Sequence, residues 1–489
     1  MNQTSSTHVT RASRSRVLYT SASCILSSIF IFAGCKVDQS AEVAIYRKVL
    51  HASTSTAPAR PLPATQPLSL RRALVLANNH NESLSIQGET YLQALIAQRR
   101  LVESFFTPTV SGNVGTGLSG NGHKSNTFSF NNRTDNNLQA SLTEQVNLFN
   151  GFQDVNAIDR NKYLADQNRW ELLDLQNSIL LDVANQYYAV LISEASVDVL
   201  RDTVSLDDYQ IHLLKSQYQV GTAKPLDISQ SEAVAANTRV QLNRAINDVQ
   251  NGRAALATFI AVPDVKGPLS DDLPEPAESY DLDALTRDAL DTRQDLQAAS
   301  SAIDAAYKNV KIAVGEYWPT IGISLTENVY RDPASFGNWA ASLPISIPIF
   351  TAGAIHQDVR LAWSQFRQSA LSRSQTQRQV IQDVRTAYYN ITSSAIRLRD
   401  IQYEVTAAKN AYDLSVTSYR VGNATNLDVL TAQNQLLTAR LDQVTEQLNH
   451  KLYYLQLLRS QGRLTIPAIP ATQPNRLPAT HPTSFPTAH

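Results

Sequence analysis

The chain has 489 residues, 43% hydrophobic and 17% charged, with a formal net charge of -1. That is enough apolar material for a substantial core, and the balanced charge leaves no electrostatic footprint for nucleic acid. The two cysteines, Cys24 and Cys35, lie near the N-terminus, so the rest of the chain has neither a disulfide framework nor a Cys-based zinc site.

Arg11, Arg14 and Arg16 precede an apolar run over residues 25–33, the layout of an export signal that is too short to span a membrane stably. It ends in Phe32-Ala33-Gly34-Cys35, which resembles a bacterial lipobox with Phe where Leu is usual. On that reading residues 1–34 are a lipoprotein-type signal peptide and Cys35 carries the lipid (palmitate); an ordinary signal peptide with an incidental cysteine is the competing reading. Residues 35–67 are then the lipidated N-terminus and a linker, since Ser53–Ser69 reads STSTAPARPLPATQPLS. Residues 465–489 form a Pro/Thr tail. Neither Pro-rich stretch can bury enough apolar surface to offset the entropy of ordering.

Between them the chain repeats itself. At an offset of 201 residues, matches run without a gap from Leu148/Ile349 and Phe149/Phe350 through Asp182/Asp383, Tyr187/Tyr388 and Tyr188/Tyr389 to Tyr218/Tyr419, Gly221/Gly422, Leu226/Leu427 and Asp227/Asp428. Such register assigns residues 68–262 to a first structural repeat, 263–280 to a linker and 281–464 to a second repeat.

Within the first repeat, Leu68–Ser104 reads as a helix. Val110, Val114 and Leu118 mark a glycine-rich strand, and Leu138, Ala140, Leu142, Val146 and Leu148 mark another, interrupted by Glu144. In the second, Ile321, Ile323 and Leu325 open a strand, and Trp339, Ala341, Leu343, Ile345, Ile347 and Ile349 form the last. A period of two residues predicts strands, each of about ten residues, the length of a tilted membrane-spanning strand. Pro344 and Pro348 require an edge, a bulge or the periphery of the sheet. Gly151–Val220 and Thr351–Val421 lack internal proline and predict helices of about 100 Å at 1.5 Å per residue, each followed by a helix of about half that length. Leu430, Leu437, Leu441, Val444, Leu448, Leu452 and Leu455 trace a coiled-coil seam.

Each long helix ends in the same turn, YQVGTAKPLDIS at 218–229 and YRVGNATNLDVL at 419–430. Gly221 and Gly422 suit the left-handed residue that ends a helix. Thr425 and Asp428 have capping-box spacing, and Pro225 suits the first helical position. Four membrane-length strands in one chain leave two open edges, which lipid cannot satisfy. Three chains close twelve strands into a barrel wide enough for water.

The order helix, strand pair, long helix, turn, helix, repeated twice, resembles the TolC-like outer-membrane efflux proteins, and most closely the lipid-anchored branch found in multidrug pumps. The resemblance spans about Leu68 to Gly462 and rests on Pro108/Pro319 starting the strands, Leu148-Phe149-Asn150-Gly151 and Ile349-Phe350 ending them, and the two turns. It implies a mainly α fold with a small β part, in which internally duplicated antiparallel coiled-coil helices join four transmembrane strands completing a 12-stranded barrel in a homotrimer. It implies outer-membrane lipid around the barrel, a periplasmic helical tunnel, a periplasmic adaptor protein and an inner-membrane pump, with no cofactor and no metal.

The resemblance also implies that Asp428 lines the aperture and that Tyr419 bonds Asp227 to hold the coils shut. The adaptor then docks at Val220, Gly221 and Leu226 and at Val421, Gly422 and Leu427. Ala424 stands where some members have an Arg that also locks the closed state, and Thr431 where some have a second acidic ring. The expected function is a passive duct for drugs or other small molecules. The alternatives are a type I protein-secretion duct and, from a different class, a lipid-anchored coiled-coil scaffold without a pore. Nine histidines without HExxH spacing, and no GxSxG or P-loop sequence, argue against an enzyme.

Overall fold

The computed structural model describes residues 38–53, 63, 66–119, 135–276, 279–330 and 338–466. The export signal, Cys35, most of the Pro-rich stretch before Leu68 and the tail from residue 467 lie outside the described residues. The chain divides into a unit ending at Ile45 and a second beginning at Tyr46. In the first, residues 38–45 open helix α1 (Gln39–Val49), whose start is capped by Asp38 accepting from the Ser40 amide at 3.0 Å. The sequence reading has only lipidated terminus and linker here; the Pro-rich composition that opposes a helix begins later, at Ser53.

The second unit is mostly helical with a small sheet part. In order it holds β1 (Leu68–Ser69), α2 (Leu70–His80), α3 (Glu82–Phe106), β2 (Thr109–Ser119), β3 (Asp135–Asn150), α4 (Gln153–Gln219), α5 (Pro225–Phe259), β4 (Leu269–Ser270), α6 (Leu282–Thr292), α7 (Gln294–Gly315), β5 (Thr320–Tyr330), β6 (Asn338–Ser342), β7 (Ile345–Ser346), α8 (Ala354–Arg420) and α9 (Asn426–Ser460). The pairs α4/α8 and α5/α9 have the same lengths, 67 and 35 residues. Both ends of each are displaced by 201 residues, as the sequence register requires.

One expected helix is divided. Leu68 and Ser69 pair instead with Leu269 and Ser270 as two short parallel strands, and the helix that follows breaks at Asn81. The Asn81 side chain accepts from the amides of Ser83 and Leu84 at 2.9 and 3.4 Å, restarting the helix as an N-cap. The second repeat breaks at Arg293, which is 5% exposed because its guanidinium is bound by Asp295 at 2.6 Å and Asp383 at 2.9 Å. The strand pair β1–β4 is fixed from α4: the Tyr187 hydroxyl lies 2.6 Å from Leu68 O and 2.7 Å from Ser270 O, and accepts from Ser270 N.

The main sheet has the order β2-β3-β5-β6, with β7 also pairing β5, and every pairing is antiparallel. The last expected strand is broken into β6 and β7 at Pro344, whose carbonyl still accepts from Gly322 N at 3.1 Å. This is the rim of the sheet, where a missing N–H removes no central ladder bond. Register sorts the two faces. Val110, Glu144, Leu325 and Ala341 stand side by side, as do Leu142, Glu327 and Trp339, and Val146 pairs with Ile323. The opposite face carries Ser111, Asn113, Ser141, Thr143, Gln145, Ser324 and Thr326. One face is therefore apolar apart from Glu144 and Glu327, and the other is polar apart from Ala340 beside Thr326, an alternation that suits a sheet between lipid and water.

Candidate functional site: the helical turns and the sheet rims

Both turns reverse the chain in the same way. Gly221 and Gly422 each adopt φ 80°, a left-handed conformation that a Cβ makes costly. The amide three residues beyond the helix closes back onto the last turn: Thr222 N donates to Gln217 O, and Asn423 N to Ser418 O, both at 2.9 Å. The restart is also shared. The Asp227 carboxylate accepts from Lys224 N at 3.3 Å. Asp428 Oδ2 accepts from Thr425 N and from the Thr425 hydroxyl, both at 2.7 Å. The Thr425 amide, followed by its hydroxyl, holds the Asp428 carboxyl below the usual carboxylate range.

Around these turns apolar side chains stand in solvent. Val220 is 74% exposed, and Leu226, Val421 and Leu427 each exceed half exposure. Asp428 is exposed, while Asp227 and Tyr419 are half-buried. Burial pushes the Tyr419 phenol up and the charge on Asp227 adds to it; the Asp227 carboxylate, however, is engaged by the Lys224 amide. The structure brings Tyr419 and Asp227 together without a direct hydrogen bond between them.

The tie between the two turns is a residue that sequence reasoning passed over. Asn426, 1% exposed, donates its side-chain amide to Asp227 O at 3.1 Å and to Ser231 Oγ at 3.2 Å. The signal was present in the repeat register, where Asn426 and Ser231 align with Pro225 and Ala432, so this polar pair belongs to one copy alone. The Thr431 hydroxyl is turned back onto Leu427 O at 2.8 Å.

At the other end of the helices, large aromatics cluster where the strands meet them. Trp318, Phe152 and Phe350 are all more than half exposed, and Phe149 meets Phe152 edge to face at 5.3 Å. The two rims of the sheet, β2 and the broken β6–β7 strand, have no second neighbour among the described strands. Among the described residues no helix is long and apolar enough to cross a membrane. Ser394, His450 and Glu446 do lie together, with Ser394 Oγ donating to Glu446 at 2.5 Å and His450 Nδ1 3.2 Å away. Ser394 is wholly buried, so this group braces the α8–α9 pair and offers no nucleophile to a substrate.

Comparison with known proteins gives a consistent picture. The family described as outer membrane efflux protein matches residues 74–262 and 285–463, one block in each repeat. The chain is 25% identical over 343 residues to the outer membrane efflux protein BepC of Brucella suis, covering 68% of this chain and 74% of BepC. It is 24% identical over 406 residues to the toluene efflux pump outer membrane protein TtgF of Pseudomonas putida, covering 80% and 83%. The fold superposes on the outer membrane protein VceC of Vibrio cholerae with a TM-score of 0.70 at 19% identity, over 80% of this chain and 96% of VceC.

Proposed function

Because the chain belongs to the outer membrane efflux protein family, we propose that it is the outer-membrane channel of a tripartite export system. In that system an inner-membrane pump and a periplasmic adaptor hand it drugs or other small molecules. The observation that carries this reading is the sheet: one apolar face, one polar face and two unpaired rims, joined to helices of about 100 Å. Exposed rims are untenable in lipid, and three copies close them into a twelve-stranded barrel with the Ser, Thr and Asn face lining water. Exposed Leu361, Leu371, Tyr403 and Leu414 along α8 support the same assembly, since a neighbouring protomer gives them cover. A lipid-anchored scaffold without a pore leaves both the rims and the two-faced sheet without a purpose.

The helices then carry the duct across the periplasm, and the turns at their far end form its entrance. Val220, Gly221 and Leu226, with Val421, Gly422 and Leu427, present the apolar surface on which the adaptor docks, and α1 leads back towards a lipid on Cys35. Threefold symmetry makes Asp428 a ring of three carboxylates that favours cations. The Thr425 amide and hydroxyl hold each of these carboxyls below the usual carboxylate range, which favours the charged form. Tyr419 beside Asp227 and Asn426 across the two turns hold the entrance narrow, and opening separates them. The work of transport is done by the pump, and the duct is passive.

A trimeric barrel resists mild detergent and shifts its gel migration only on heating; a chain that migrates as a monomer in unheated outer-membrane fractions overturns the channel. Asp428→Ala is expected to lower cation preference in planar bilayers, and unchanged selectivity removes the ring. Tyr419→Phe, which takes the phenol oxygen away from Asp227, is expected to raise conductance. Cys35→Ser is expected to abolish labelling by radioactive palmitate.

A further inference from the structure

Just above the turns lies a carboxylate that packing does not require. Asp207 of α4 is 3% exposed. Its Oδ1 accepts from Gln433 Nε2 of α9, while its Oδ2 has no hydrogen-bond partner. Thr238 of α5 stands beside it, and the half-buried Tyr412 on α8 feels its charge, so three helices meet at this group and a fourth lies within its field. The other charges facing it are Asp208 on α4 and Arg239 on α5, which pair with each other nearer the surface. Arg420 and Arg440 act on Tyr412 rather than on Asp207 itself.

The duplication supplies an internal control. The counterparts of Asp207 and Thr238 are Ala408 and Ala439, which pack with Leu436 in an apolar cluster flanked by Val405 and Tyr412. The same level of the same helix pair is therefore filled by hydrocarbon in the second repeat. A buried carboxylate with one oxygen unsatisfied costs stability relative to such packing, so its presence points to a role that an apolar residue cannot fill. Gln433 links that carboxylate to α9, about two turns beyond the Asn426 tie.

We propose that Asp207 is a proton-sensitive positioning residue for the entrance: through Gln433 it holds α9, and with it the turn carrying Tyr419 and Asp428, more tightly when protonated than when charged. This rests on reading the turns as the inner mouth of the duct. A neutral carboxyl removes the cost of burying charge and adds an O–H on the unsatisfied side. An ionised one is relieved by helix separation that admits water. Burial pushes the Asp207 carboxyl above the usual carboxylate range. A carboxyl raised in the packed state favours that state fully below its solvent-exposed value, and the advantage fades as pH rises through the raised value. The entrance is thus tighter in mild acid and looser towards neutrality.

The test is single-channel conductance of the full-length protein in planar bilayers, titrated from about pH 4, the ordinary carboxylate range, to neutrality. Wild-type conductance is expected to fall by about twofold on acidification, as for a two-state entrance drawn to one side. Asp207→Asn keeps the shape and the acceptor for Gln433 but cannot charge, and is expected to hold the low-pH conductance at every pH. Asp198→Asn, an exposed carboxylate of α4 paired with Arg201 and not among the charges facing Asp207, is expected to keep the wild-type profile. A pH-independent wild type, or an Asp207→Asn profile that follows wild type, overturns the proposal. If the wild-type protein forms no channels at all, the duct reading fails instead. The brace is then read by hydrogen exchange over residues 426–437 at neutral pH, where Asp207→Asn is expected to slow exchange relative to wild type and equal rates overturn it.

Discussion

Helices α4 and α8 have the same length, the same place in the repeat and the same Tyr-Tyr pair, yet they live in different surroundings. α4 is packed by α2, α3, α5, α7 and α9, whereas α8 meets only α6, α7 and α9 in strength. Tyr187 and Tyr188 are fully buried, with Tyr187 pinning β1 and β4, while Tyr389 is 59% exposed. Duplication of a hairpin has produced one central helix and one edge helix. The edge helix keeps Leu361, Leu371, Ile396 and Leu414 on a solvent-facing surface, where the proposed trimer would cover them.

The largest expected effect breaks this contrast directly. Tyr187→Ala removes a buried ring and the tie between β1 and β4, and should cost about 3–5 kcal/mol in denaturant unfolding. Tyr389→Ala should leave protomer stability nearly unchanged. Equal losses at the two sites would mean that the edge helix is covered within the protomer. Next, Leu414→Glu on α8 should leave the far-ultraviolet circular dichroism intact and abolish the detergent-resistant trimer, since it places charge on the surface a neighbour must cover.

The turns, by contrast, should respond alike. Gly221→Val and Gly422→Val each force a β-branched residue into a left-handed conformation and should cost about 1–2 kcal/mol by the same unfolding measurement; a loss at only one turn would show that the two reversals are not equivalent. A pH arm sharpens the comparison. Asp428 is held below its ordinary range, so its capping contribution is present above the solvent-exposed value and is lost as pH falls through the lowered one. Amide exchange in the first turn of α9 should therefore rise in strong acid, and Asp428→Asn should flatten that rise. Asp207 carries the opposite sign, which keeps the two carboxyls separable in one titration. The smallest effect is expected on the sheet, where Glu144→Leu removes a carboxylate from the apolar face and should raise the heat resistance of the assembled protein by under about 2 kcal/mol.

Much of the architecture was legible because it is periodic. Two-residue alternation located the strands, the 201-residue register located the helices, and the capping chemistry of Thr425 with Asp428 and the glycines at 221 and 422 located the turns. The breaks at Asn81 and Arg293 were not legible: both lie in helix-compatible sequence. Asn81 interrupts through a local side-chain cap, and Arg293 is drawn into carboxylates that include Asp383, far along the chain. Pro344 announced a defect, but only the sheet order showed that the defect falls on a rim.

Periodicity and turn chemistry are properties of neighbouring residues, so the chain by itself determined a doubled helix-and-strand pattern, two matching reversals and a two-faced sheet. Which Tyr pair is buried, how Asn426 ties the two turns and why Asp207 meets Gln433 were decided only by tertiary structure. The same Tyr-Tyr pair acquires different burial when one helix is surrounded and its copy lies at an edge, and burial sets the energetic weight of each polar group.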